Sequence, residues 1–504
     1  MMTGMEREKT QKEIVSFAGG KGILLEKEAL EILSKKKNWQ EILSELGKEG
    51  SFIVGKEELE KKIIKTKISV IESRTRTKGE EFRAEASGKN ASFRIMKELD
   101  ITGQSYSEGT VQDFLNFFQE KFRLLSRILK QRHTLKPRPI KRLKYTANKS
   151  EVDVIGMVNR KWVTKNGHTA LELEDMEGKI IAVISKDNRE LLHEKDALMP
   201  DDVVAVRATK ISDEMLIVNQ LFWADLPQRK RKLIERDVAI ASISDMHVGS
   251  KLFLEQSFKK FLDWINGRIG SQQEKEEVGK IKYLVVNGDN VDGIGIYPKQ
   301  FDELNIKDIR EQYEEFSEYI LQIPEYIEIF IIPGQHDAVR WADPQPAVPE
   351  KLVPRLAERK NIHLMGSPSW VEIEELKVLI YHGSSMHDLF SSVSGLNYEM
   401  PQQAVIELLR KRDLMPAYGM RQPYVPEKKD LMVVREEPDL VFIGDLHHSG
   451  YGTYRGTLII NNSTWQDRTD YQVKLGHVPT PGIVPVINLK TGKIREVQFQ
   501  REER

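Results

Sequence analysis

Cysteine is absent from all 504 residues, which excludes disulfides and excludes zinc or iron–sulfur sites held by thiolates. Any metal must then sit among imidazoles, carboxylates and amides. Net charge is lacking as well. Lys plus Arg and Asp plus Glu both number 77, so the chain as a whole makes no electrostatic case for a nucleic-acid or membrane partner, and only local charge can make one. No apolar run approaches the roughly 18 residues of a membrane span, and the opening MMTGMEREKTQKE is charged rather than apolar. A soluble, cytoplasmic protein with no membrane partner is expected. What the chain does have is length, more than one hydrophobic core usually organises, so two to four domains are expected.

Apolar positions at helical spacing run through the first 64 residues (Ile14 with Phe17, Leu30 with Leu33, then Trp39, Ile42, Leu43 and Leu46), broken at Gly19-Gly20 and Gly47. They predict a small helical module over 1–64. Residues 65–108 are polar, mixed in charge and poor in aromatics, which predicts a flexible linker. Residues 109–149 begin with a stripe of Phe114, Phe117, Phe118, Phe122, Leu125 and Leu129, the mark of a helix docked on a neighbour. Gln112, Leu115 and Phe118 also resemble a sliding-clamp peptide without its second aromatic, and core packing is the stronger reading. From Lys121 to Lys149 there are eleven Lys or Arg and no Asp or Glu, a positive strip in a neutral protein. Residues 150–227 then hold five short alternating runs in the manner of an OB-type barrel. Trp162 and Trp223 are too few for a stacking platform, so protein docking is at least as well supported as strand binding.

From 236 to 504, apolar β-rich runs alternate with helical stretches, the pattern of an α/β domain with a buried sheet. The ends of these runs carry the chemistry. VAIASIS stops at Asp245-Met-His247, YLVVNG at Asp289-Asn290-Val-Asp292, IEIFIIPG at Gln335-His336-Asp337, KVLIY at His382-Gly383, and DLVFIG at Asp445-Leu-His447-His448. Singly, each has a bland explanation: a cap, a satisfied buried histidine, a loop hydrogen bond. Together they place metal-capable side chains at five strand ends, and layered α/β proteins gather ligands at that carboxyl edge. His387 and His448 lie just beyond and are read as non-ligands.

Taken in order, D-x-H, G-D-x-x-D, G-Q-H-D, a strand-end H-G and G-D-x-H resemble the signature of the calcineurin-like metallophosphoesterases. With a barrel and a helical module ahead of it, and with segments such as PGQHDAVRWADPQPA and YRGTLIINNSTWQ, the chain is similar to the small-subunit family of archaeal family D DNA polymerases. The resemblance implies a layered β-sandwich flanked by helices, an OB-fold barrel, and a metal-dependent 3′→5′ proofreading exonuclease acting on single-stranded or mismatched DNA ends. It implies DNA and a large polymerase subunit as partners. It places Asp245, His247 and His447 on one divalent ion, His382, Gln335 and Asp445 on the other, and Asp289 between them.

His336 is then the catalytic histidine that binds no metal, with Asp337 a candidate to orient its ring. Two positions depart from the family pattern: Gln335 stands where it has Asn, and Asp445 where it has His. Mixed nitrogen and oxygen donors without thiolate favour Mn²⁺, with Fe²⁺ or Zn²⁺ as alternatives. Competing readings are a catalytically weak scaffold subunit and a generic metallophosphatase.

Overall fold

The computed structural model describes residues 82–105, 107–469, 472–473 and 477–500, together with parts of 11–54. The chain divides into two compact units, 1–81 and 82–504. In the first, β1 (Leu24–Leu25) pairs in parallel with β2 (Ile53–Val54), and a helix spans Lys27–Leu33. Ile14, Ala29, Leu33 and Leu43 are buried in one small cluster. The strand pair is a departure from the expected all-helical module; two-residue strands are too short to show alternation.

In the second unit a short strand, β3 (Phe93–Ile95), is followed by the helix Val111–Lys130. Next come β4 (Glu151–Val163), β5 (Thr169–Glu174), β6 (Lys179–Ile184), β7 (Val203–Lys210) and β8 (Met215–Phe222), which close into a barrel in the order β4-β5-β6-β8-β7. β6 alternates buried side chains with exposed or half-buried ones along its length, as expected where one face lines a core.

The remaining strands are β9 (Ala239–Ile243), β10 (Ile281–Asn287), β11 (Glu328–Ile332), β12 (Ile362–Leu364), β13 (Ser369–Ile373), β14 (Leu376–Ile380), β15 (Leu440–Ile443), β16 (Gly450–Tyr454), β17 (Thr457–Asn461), β18 (Ile483–Asn488) and β19 (Ile494–Gln498). They form two six-stranded sheets, β12-β11-β10-β9-β18-β19 and β16-β17-β15-β14-β13-β3. One apolar layer joins them face to face, with Ile240, Val285 and Phe330 from the first sheet and Val371, Val378 and Phe442 from the second. The outer face of the first sheet is covered by the helices Glu255–Ile265 and Ile309–Ile320. The outer face of the second meets the helices Met386–Ser392 and Pro401–Lys411, and that core runs on without a break into the barrel through Phe117, Trp223 and Leu226.

β9, β10, β11 and β12 run parallel, as do β14, β15 and β17. β9, β10, β15 and β17 are buried at every residue, which explains why they read as unbroken apolar runs. One expectation is corrected. Residues 82–108, read as linker, contain β3, which pairs antiparallel with β13. Its signal is slight because an edge strand keeps Arg94 exposed and offers only Phe93 and Ile95 to the core. Residues 65–81 lie outside the described residues.

Candidate metal centre

The site is built where strands stop. Two residues after β9 ends the chain reaches Asp245, and Asp289, His382 and Asp445 follow β10, β14 and β15 in the same way. Asp245, His247, Asp289, Asp445 and His447 all have left-handed backbones, with φ of 53°, 49°, 47°, 65° and 56°. A non-glycine residue there costs about 1–2 kcal/mol, and such strain concentrates at functional sites because the surrounding fold over-determines it. The flanking glycines admit close approach. A Cβ on Gly334 would fall 2.2 Å from Asp289 Oδ1 and 2.6 Å from His382 Nε2, and one on Gly444 would fall 2.2 Å from Ser244 Oγ.

The side chains converge in two halves. In one, His247 Nε2 and His447 Nε2 face each other at 3.1 Å, and His447 Nε2 lies 3.3 Å from Asp245 Oδ1. In the other, His382 Nε2 lies 3.4 Å from Asp289 Oδ1 and 3.8 Å from Asp445 Oδ1. Asp289 serves both, because its second oxygen, Oδ2, is 3.8 Å from His247 Nε2. All of these residues are buried except Asp445, which is half-buried.

Second partners fix the rings. His382 Nδ1–H donates to the Asn287 carbonyl at 2.9 Å, which leaves Nε2 bare and aimed at the carboxylates. His247 Nδ1 meets Asp292 Oδ1 at 3.0 Å, and Gln300 and Gln466 also donate to that carboxylate. His447 Nδ1 meets the Gln472 amide at 2.9 Å.

A divalent ion fits this donor set. Asp245 Oδ1 and His382 Nε2 are buried without a hydrogen-bond partner among the described residues, an unfavourable state for polar atoms that a cation between them would relieve. Three overlapping groups have ligand atoms close enough to share an ion: Asp245 with His247 and His447, Asp245 with Asp289 and His382, and His247 with Asp292 and His336. The electrostatics agree. Burial opposes a charged His382, but Asp289, Asp245 and Asp445 outweigh it and raise its pKa well above the ordinary imidazole value. Burial likewise opposes the Asp289 anion, and His382, His336 and His247 overcome that and hold its pKa well below the carboxylate range.

Asp245, His247, Asp289, His382, Asp445 and His447 thus come together. Two other predicted site residues are engaged elsewhere. The Gln335 amide nitrogen donates to Gln422 Oε1 at 3.0 Å, at the wall of the same cavity as the cluster. Asp337 does not orient His336. Its carboxylate accepts from Gly334 N, from the backbone and side-chain amides of Asn290, and from the Tyr313 hydroxyl. Burial, aided by the charge of Asp289, pushes Asp337 up to about 6, so it staples the loop. The Asp292 carbonyl instead accepts from His336 Nδ1 at 2.7 Å.

Two residues outside the predicted set belong to the site. Asp292 is the second carboxylate of the Asp289-Asn290-Val-Asp292 cluster, and its signal was present in the sequence. His387, read as a non-ligand, places Nε2 3.1 Å from Asp445 Oδ2. His448 turns away and bonds the Val478 carbonyl. Over the cluster opens a cavity of about 350 Å³ whose walls include His336, Tyr297, Trp341, Arg421 and His477.

Residues 240–453 match the family of B-subunits of the alpha and epsilon DNA polymerases. A DNA polymerase II small subunit from Methanothermobacter thermautotrophicus is 40% identical over 398 residues, covering 79% of this chain and 82% of the relative. One from Archaeoglobus fulgidus is 37% identical over 454 residues, 90% of each chain. A solved archaeal phosphodiesterase aligns over 52% of this chain and 99% of its own at 16% identity, with a TM-score of 0.25, a likeness too slight to bear on the fold.

Proposed function

Because the chain belongs to the family of archaeal DNA polymerase II small subunits, we propose that it is the nuclease subunit of that polymerase, a two-metal 3′→5′ exonuclease that trims single-stranded or mismatched DNA ends beside a large polymerising subunit. The observation that carries this reading is Asp289, one oxygen turned to His382 and the other to His247. A carboxylate so placed suits a bridge between two ions.

Asp245, His247 and His447 would hold one ion, and His382 with Asp445 the other. Gln335, whose amide nitrogen is held by Gln422, would contribute its carbonyl oxygen. Oxygen and imidazole donors favour Mn²⁺, with Fe²⁺ or Zn²⁺ as alternatives. Ions held by these residues would supply charge to neutralise a phosphodiester and would lower the pKa of a bound water. His336 does the proton work. Its Nδ1 is tied to the Asp292 carbonyl, so Nε2 faces the cavity. Burial disfavours its charged form, but Asp289 and Asp292 raise its pKa, and it would give its proton to the leaving 3′ oxygen.

In this reading the two sheets are a calcineurin-like phosphoesterase domain spanning 236–504, the barrel is an OB-fold over 150–227, and residues 1–64 are a separate module. A sliding clamp is a further candidate partner through Gln112, Leu115 and Phe118, of which Gln112 and Leu115 are exposed. The competing reading of a catalytically weak scaffold draws on the Gln335 side chain, whose amide nitrogen is engaged with Gln422. Digestion of a 5′-labelled single strand with Mn²⁺, run beside p-nitrophenyl phosphate, separates the readings. The nuclease shortens the strand from its 3′ end and leaves the monoester; a phosphatase does the reverse; a scaffold does neither.

A further inference from the structure

Residues 121–149 carry eleven Lys or Arg and no acid. Lys121 turns inward, its Nζ 2.6 Å from Asp413 Oδ2 with both side chains buried. Half-buried Arg132 donates to the Trp223 carbonyl. The other nine are exposed, and among the described residues none of them forms an ion pair, whereas surface cations elsewhere do, as in Arg94–Glu372, Lys259–Glu255 and Arg495–Glu274.

The fold explains why they stay unpaired. Arg123, Arg127 and Lys130 share the helix face opposite buried Leu125 and Leu129. Beyond the helix the chain is pinned to the barrel by Ile140 and Leu143, both buried, which leaves Lys141, Arg142 and Lys144 outside. Two carboxylates beside the strip are already engaged. Asp153 accepts from Arg207 and from Lys136 N, and Asp175 accepts the amides of Ile140, Glu177 and Gly178.

A protein partner would need an apolar centre. The only large hydrophobic side chain exposed between 121 and 149 among the described residues is Tyr145, 81% exposed with Lys144 Nζ 4.8 Å from its ring centroid. A one-signed stripe with a single stackable ring fits a phosphate backbone instead. We infer that this surface, from Arg123 to Lys149, is a track that binds the backbone of single-stranded DNA. The inference deepens the nuclease reading, on which it rests for the identity of the polymer.

The test uses the full chain, a fluorescein-labelled thirty-nucleotide phosphorothioate oligothymidylate, and anisotropy across a potassium chloride series. Two variants are compared with wild type: Arg123→Glu/Arg127→Glu/Lys130→Glu and the milder Lys141→Gln/Arg142→Gln/Lys144→Gln. Each should weaken binding at low salt at least tenfold and flatten the log–log salt slope by about 2, at roughly 0.7 per lost phosphate contact. Hydrolysis of bis(p-nitrophenyl) phosphate with Mn²⁺ should stay at the wild-type rate. Unchanged affinity and slope in the milder variant would overturn the track, and so would loss of association with the polymerising subunit while DNA binding stays intact. If the slope changes but wild type hydrolyses no diester, the track stands and the nuclease reading fails alone.

Discussion

The imidazole of His387 sets its Nε2 3.1 Å from Asp445 Oδ2, while the Tyr398 hydroxyl holds the opposite nitrogen at 3.0 Å. The two side chains lie 58 positions apart in sequence. Asp445 is a short group with two oxygens, standing where the phosphoesterase signature that the chain resembles has an imidazole. Burial disfavours its charge, but His387 first and then His382 hold its pKa down at about 2. His387 is therefore a positioning residue, turning one oxygen so that the other faces His382.

Outer-shell partners of this kind are worth about ten- to a hundredfold in metal affinity. His387→Ala should weaken the second Mn²⁺ site by that factor, and His387→Gln, which keeps a donor, should recover part of it. Calorimetric titration reads this without reference to activity. Wild-type affinity in both variants would mean that Asp445 is held by something else.

Lys121 and Asp413 form a fully buried pair at 2.6 Å, and Lys121 also donates to the Met415 carbonyl at 2.9 Å. Removing one partner leaves the other as a buried, unpaired charge, which costs about 3–5 kcal/mol. Lys121→Ala should lower the urea midpoint accordingly. The double variant Lys121→Met/Asp413→Leu, which removes both charges and keeps volume, should regain most of the loss.

Asp343 supplies the pH dependence. It is buried, its Oδ2 accepts from Ser384, Tyr381 and Gln422, and its Oδ1 has no partner among the described residues. Burial pushes its pKa up to about 6 against the pull of those donors. The folded state thus holds this proton more tightly than the unfolded chain does. The resulting stability is present below about pH 4 and is lost as pH rises through about 6, a change of about 3 kcal/mol at most. Urea midpoints measured from pH 4 to 7 should fall in wild type relative to Asp343→Asn, and parallel curves would contradict the assignment.

The sequence disclosed the site further than the architecture. Asp245, Asp289, His382 and Asp445 were legible because each follows a strand that is buried throughout or nearly so, where an apolar run stopping at a polar residue is conspicuous. β3 was not legible, because an edge strand with one exposed arginine lacks periodicity and its partner Ile373 lies far along the chain. The role of Asp337 was misread because a motif gives order along the chain but not side-chain direction, and its carboxylate folds back on Asn290. His387 was visible in the sequence as a non-ligand beyond a strand end, but its contact with Asp445 was not, because the two lie on separate elements far apart in the chain.

In the proposed function Asp289 joins two ions while His336 binds none. Calorimetric titration of Mn²⁺ into wild type, Asp289→Ala and His336→Ala, with single-strand cleavage measured on the same samples, distinguishes the two roles. Two ions are expected in wild type and in His336→Ala, fewer in Asp289→Ala, and cleavage in wild type alone, with both variants reduced at least a hundredfold. One ion in wild type, or a His336→Ala protein that no longer binds metal, would contradict it.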